Sequence, residues 1–264
     1  MRCFLRSLLH SLGLAAIAFG AVAAVAPALA LPKPPKIPVS KPFAAVNVRL
    51  PAPPSDPSFA AFRQSLAALA RRRSFDELAH LMIANGFFWD RDSGKRFDPK
   101  RLPAQNLATA LRLDQGSDSG WEMLADFAAE PTASPSSAAP GILCAPGRPG
   151  FDQNDFDALL DATRTTANDW VYPRVAGVVL HRRQSEESPP IETLGSYFVR
   201  LLRFQTAPAN AVPLHTSWAR IIVPDGKVGS VAPDTISSLS AAQLCYAKDI
   251  TGRWVIAGFI GGGS

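Results

Sequence analysis

The stretch from Trp218 to Val231 constrains this chain most, because it writes two strands and the turn between them in fourteen residues. Asp225-Gly226 is a pair that readily takes φ > 0 in a two-residue loop, and Ile221 to Val223 and Val228 to Val231 flank it with β-branched side chains. Pro224 has no N–H for a ladder and so belongs at a strand end beside the turn. Gly229 marks a bend or bulge where a larger side chain would not fit. The local chemistry alone specifies an antiparallel hairpin.

The surroundings of the hairpin suggest more. Trp218-x-Arg220-Ile221, Asp225-Gly226, Gly229 and Val231 resemble the second half of the bacterial SH3-like (SH3b) domain, and Leu180 to Leu194 is similar, without a gap, to its opening. The resemblance covers Val175 to Val231. It implies an α+β chain: an N-terminal helical region followed by a small SH3-like antiparallel β-barrel over residues 172–260. It also implies a groove between the polar loop Gln184 to Ser188 and the hairpin tips near Asp225 to Lys227 and Pro208 to His215, with peptide or cell-wall material as ligand. Candidate groove residues are His181, Tyr197, Trp218 and Asp225, with Glu186 and Glu187 placed to meet an amine on a wall peptide. Four of them have a plainer reading: Trp218 as a core aromatic, His181 as a half-exposed strand residue, the two glutamates as solvated charges. Two departures from the pattern bear on the ligand, His181 standing for an arginine and Ser230 for an aromatic.

At the N-terminus, Arg2 and Arg6 precede an apolar run from Leu8 to Val25, and Ala28-Leu29-Ala30 offers a cleavage site. Residues 1–30 therefore read as a signal peptide whose removal leaves no stable membrane span and a periplasmic or secreted protein. Removal takes two of the 27 basic residues and none of the 22 acidic ones, so the net charge falls from +5 to +3. With scattered Lys and Arg, that excludes a dedicated nucleic-acid binder. Residues 31–56 are a Pro-rich linker, expected to be an extended spacer that either tethers the folded part or trails as a tail.

Helix signals fill residues 57–130, read as a helical N-terminal domain. Asp56-Pro57 opens a stripe of Phe59, Phe62, Leu66 and Leu69; Ser74 to Glu77 makes a capping box before Leu78, Leu81 and Met82; Asn85-Gly86 closes it. Phe87 to Trp89 reads as a short strand, Asp92 to Gly94 as a turn, and Asn106 to Leu113 and Trp121 to Ala128 as further helices. Whether the barrel or a later helix completes this core is left open. Residues 131–171 hold a surface loop, Pro131 to Gly150, and a helix through Phe156, Leu159 and Leu160, leading to a first barrel strand at Trp170 to Tyr172. Ile236 to Leu239 fits a short helical turn, and Leu244 to Ala247 with Trp254 to Phe259 a closing hairpin.

Catalytic and metal-binding constellations are missing from the sequence, so no cofactor and no metal is expected. Asp90 to Gly94 begins like a calcium loop, but Lys95 and Arg101 occupy the positions that need Gly and Glu. Gly116 to Gly120 has Asp118 where a nucleophile elbow needs Ser. Cys144 and Cys245 are the two thiols left after cleavage, in a compartment that permits a disulfide; two unpaired cysteines are the alternative. The sequence thus indicates a non-enzymatic extracytoplasmic binding or scaffold protein whose partner is cell-wall peptide or an envelope protein. The rivals are a cell-wall hydrolase using Cys144 with His181 or His215, and a structural envelope protein with a degenerate groove.

Overall fold

The computed structural model describes residues 39–90, 97–113, 118–136, 140–202 and 218–261. The chain starts with β1 (Val48–Arg49), then α1 (Pro57–Arg72), α2 (Phe75–His80), β2 (Phe88–Asp90), α3 (Pro103–Leu111) and α4 (Ser119–Ala129). The first three helices begin where the sequence supplies a cap or a first-turn proline. Asp56 accepts from the Ser58 N–H at 2.9 Å and Ser74 from the Glu77 N–H at 3.4 Å, while Pro103 opens α3. α2 is shorter than the capping box and stripe suggest. It stops at His80 because Leu81 and Ile83 exchange backbone hydrogen bonds with Ile256, at 2.7 and 2.9 Å.

The next stretch contains more structure than a surface loop. It forms β3 (Ser134–Pro135), β4 (Leu143–Ala145) and β5 (Gly150–Phe151), followed by α5 (Gln153–Thr163), capped by Asp152. After these come β6 (Trp170–Pro173), β7 (Val179–His181), β8 (Pro190–Thr193), β9 (Val199–Leu201), β10 (Ala219–Ile222), β11 (Val228–Val231), β12 (Ile236–Ser238), β13 (Gln243–Lys248) and β14 (Trp254–Ile260). The helical turn expected at Ile236 to Leu239 lies one step earlier, at Pro233–Thr235, and Ile236–Ser238 is a strand beside β6.

The expected SH3-like β-barrel does not form. The strands make three open sheets: a two-stranded one (β1-β5), a seven-stranded antiparallel one in the order β12-β6-β9-β10-β11-β7-β8, and a five-stranded one in the order β2-β14-β13-β4-β3. Strands β12 and β8 are the edges of the large sheet and do not pair, and the intended closing hairpin β13–β14 leaves for the other sheet. There it lies under α1 to α4, burying Leu244, Tyr246, Ile256 and Phe259 against Phe59, Leu66, Leu107 and Leu124. The helical region is therefore completed by the C-terminal hairpin. Apolar burial at about 25 cal/mol per Å² makes this shared core the dominant stabilising term of one lobe, the four helices on the five-stranded sheet; the seven-stranded sheet with residues 39–50 and α5 is the other.

Between β10 and β11 the hairpin appears where the sequence places it, with Ile222 opposite Val228 and Ala219 opposite Val231. Its loop is one residue longer than the two-residue form. The Gly226 N–H donates to Val223 O at 2.8 Å, the Val223 N–H donates to Lys227 O at 3.0 Å, and only Gly226 takes a positive φ, +85°. This is the three-residue turn with a glycine bulge, which Pro224 at its first loop position favours. Gly229 serves close approach: a Cβ there would lie 2.6 Å from Leu180 Cγ and 2.7 Å from His181 O on β7.

The Pro-rich segment is not a free spacer over its described part. Val46 and Val48 are buried with Phe156, Trp170 and Phe198, and the Phe43 ring meets Trp170 edge-on at 4.9 Å. Residues 39–50 thus form a strap across one face of the large sheet, beside α5. The signal-peptide reading, the turn at Asp92 to Gly94 and the 208–215 hairpin tip lie outside the described residues, as do Ser117 and the C-terminal Gly262 to Ser264.

Candidate functional site

The six expected groove residues fall into separate groups. His181 and Trp218 meet edge-on with ring centroids 5.4 Å apart, and His181 Nδ1 lies 3.0 Å from Ser188 O. Tyr197 and Asp225 belong to a different chain of contacts. The Tyr197 hydroxyl approaches Glu192 Oε1 at 3.5 Å, and Lys227 Nζ donates to Glu192 at 2.7 Å and to Asp225 at 2.6 Å. Lys227 is the hub. Its hydrogen bond holds the Asp225 carboxyl below the usual carboxylate range, and the two carboxylates, Asp225 first, raise the lysine itself. Burial raises the Tyr197 phenol, and the neighbouring Glu192 adds to it. Glu186 and Glu187 are exposed in the 184–188 turn and belong to neither group.

The surface at the hairpin tip is already covered. The Ser40 N–H donates to Gly226 O at 2.6 Å, the Phe43 N–H donates to Pro224 O at 2.9 Å, and Val39 bridges Lys227. Farther along the strap, Asn47 bridges Tyr197, the Val48 N–H donates to Ser196 O at 2.9 Å, and the Phe198 N–H donates to Val46 O at 3.0 Å. The chain's own extended segment covers one side of the expected groove, the hairpin tip at Asp225 to Lys227. Ser230, the replacement for an aromatic, is buried in the sheet between Arg220 and His181 rather than lining a groove.

The concavity beside the strap is larger. Strap residues 40–46, α5 and the β9–β10 pair enclose about 940 Å³, lined by Lys41, Phe43, Leu159, Arg164, Arg200 and Ile222 among others. Three cations converge on it: Lys41 from the strap, Arg164 from the left-handed residue ending α5 (φ +52°), and Arg200 from β9. One carboxylate, Asp155, shares the lining, and none of the three cations forms an ion pair among the described residues. Apolar walls with a few unneutralised charges suit a ligand that carries carboxylates on an otherwise uncharged frame. Sequence reasoning missed all three, since they lie 36 or more residues apart or on different elements. The one local signal was Arg164 at the end of the helix through Phe156, Leu159 and Leu160.

Cys144 and Cys245 stand opposite each other on β4 and β13 and are joined by a disulfide, both almost fully buried. The Cys144 sulfur is spent in that bond, so the structure does not offer the thiolate that a Cys-His hydrolase needs. Among the described residues there is no group of three or more His, Cys, Asp or Glu that could hold a metal ion. Comparison with known protein families, with curated proteins and with solved structures finds no match for this chain.

Proposed function

We propose that this is an extracytoplasmic binding or scaffold protein without catalytic chemistry of its own, which holds carboxylate-bearing extended material, a cell-wall peptide, in the groove between the strap and α5. The observation that carries this reading is the convergence of Lys41, Arg164 and Arg200, unpaired among the described residues, on one apolar-walled concavity. A buried disulfide fits a compartment outside the reducing cytoplasm, and among the described residues no helix is long and apolar enough to cross a membrane. The strap adds support, since the β10–β11 turn and the segment before β9 already take an extended stretch of chain through backbone hydrogen bonds.

The test is retention on purified wall sacculi and titration with soluble muropeptides, for the wild type and a Lys41→Glu/Arg164→Glu/Arg200→Glu variant. Binding should weaken with rising salt, and the charge reversals should cost about 100-fold if each lost contact is worth about 1 kcal/mol. Equal retention of the two proteins would overturn the reading. A second reading, a structural envelope protein with no such ligand, is favoured by the burial of Ser230 in the sheet. It predicts no retention of either protein.

A further inference from the structure

A second concavity lies in the other lobe, on the opposite class of scaffold. The start of α2, the α3 face and the first turn of α4 enclose about 710 Å³, lined by Arg73, Phe75, Arg101, Thr109, Leu113 and Trp121 among others. Trp121 and Leu113 are buried, whereas Phe75 at the rim is 39% exposed, a large aromatic that the fold itself leaves uncovered. The volume falls in the range of small-molecule sites, roughly 300–1,000 Å³.

Two guanidinium groups stand at the same rim with donors to spare. Arg73 Nη1 meets Asp118 at 2.6 Å, Arg101 Nη1 reaches Thr109 Oγ1 at 3.5 Å, and Arg101 Nε is 3.7 Å from Asp98, beyond hydrogen-bond range. Each guanidinium carries five N–H donors, so these contacts leave a bidentate edge available. Arg73 ends α1 in the left-handed region, φ +56°, as Arg112 ends α3 and Arg164 ends α5, a conformation in which glycine is the comfortable residue.

We propose that this pocket binds a small amphipathic anion: an aryl group or short acyl chain between Phe75 and Trp121, with its carboxylate held by Arg73 and Arg101. The site is independent of the strap groove, which shares none of these residues.

The test is calorimetric titration of the full mature protein with 3-phenylpropionate and with its uncharged amide. The acid should bind about tenfold more tightly than the amide, the difference expected for one charge-assisted contact. Arg73→Gly separates ligand binding from folding, since glycine suits the helix end: this variant should melt no lower than the wild type yet lose about tenfold in affinity for the acid. Arg101→Gln should lose a similar factor. Arg73→Gly and Arg101→Gln, which lie outside the strap groove, should keep wild-type retention on wall sacculi, so that failure here and failure of the wall-peptide reading are told apart. Equal affinity for acid and amide, no heat from either up to about 5 mM, where a site of this size should already fill, or wild-type affinity in Arg73→Gly would overturn the proposal.

Discussion

Replacing Gly226 by alanine tests the strap directly, because the structure supplies an internal control. Gly226 and Gly252 both turn hairpins in the left-handed region, at φ +85° and +81°. An added Cβ at Gly252 meets nothing within 4 Å, whereas at Gly226 it would lie 2.3 Å from Ser40 O. The backbone term, roughly 1–2 kcal/mol for an L-residue in that region, is common to both. Only Gly226→Ala must also push the strap away by about 1 Å to restore ordinary contact. That displacement breaks the Ser40–Gly226 hydrogen bond of 2.6 Å and stretches the Phe43–Pro224 bond of 2.9 Å. At about 1 kcal/mol each, these make Gly226→Ala about 2 kcal/mol costlier than Gly252→Ala. The difference corresponds to about 6 °C in Tm for a chain of this size. Thermal melts of the two variants read the sum, and hydrogen exchange at the Phe43 amide reads its cause: protection there should fall in Gly226→Ala and stay unchanged in Gly252→Ala. Equal melting temperatures with equal Phe43 protection would refute the claim that the strap is docked on the turn.

Three further outcomes follow from the same packing. Cys144→Ala/Cys245→Ala removes a crosslink spanning 101 residues, and by chain entropy should cost about 4.7 kcal/mol in urea unfolding; a cost under about 1 kcal/mol would show the bond to be idle. Glu130 is 7% exposed and takes hydrogen bonds from Thr132 and from Arg174 across the two lobes. Because Arg174 is itself 36% exposed, Glu130→Ala should cost about 2–3 kcal/mol, at the low end for a broken buried pair, with Glu130→Gln intermediate. Acid should destabilise the protein through Asp249 and Asp56. Hydrogen bonds from Thr251 first, then from the Arg253 and Thr251 amides, hold Asp249 down to about 2, and Lys248 with Ser58 holds Asp56 lower still. Depressed carboxylates contribute stability that is complete above their unfolded values near 4 and lost as pH falls through the folded ones. The Tm should therefore be flat from pH 7 to 5 and decline below 4, less steeply in Asp249→Asn.

What was legible in the sequence was local. Asp56-Pro57 opens α1, and the β10–β11 hairpin follows from β-branched residues around Asp-Gly, because each is decided by neighbours within four residues; its register does not, since Pro224 joins the loop and shifts the pairing by one. The strap was half legible. Val46, Val48 and Leu50 alternate with Asn47 and Arg49, a strand pattern that the density of prolines around it masked. Partner choice was not legible at all. Leu244 to Ala247 reads as a strand in any sheet, and nothing nearby tells it to join β4 and β14 under α1 rather than close a barrel with β8. The tie is made by Cys144 opposite Cys245 and by Phe59 against Tyr246 and Trp254, residues 101 to 195 positions apart. The two candidate pockets were hidden for the same reason, since each gathers its cations from three or two separate elements.

The two ends of the chain explain why the sequence suggested tidier domains than the fold contains. Residues 39–50 precede the helices but pack on the large sheet, and β13–β14 follow that sheet but complete the helical core. Each lobe is thus finished by a segment lying beyond the other lobe in sequence. Residues 57–130 by themselves would present Leu66, Leu69, Leu107 and Leu124 without the β13–β14 face that covers them, and residues 172–260 would lack the strap and α5 over Tyr172 and Phe198. Glu130–Arg174 adds a direct ion pair between the two lobes. Such interlocking also builds the wall of the proposed binding groove from the strap, so Lys41 can stand opposite Arg200 only when the chain is folded as a whole.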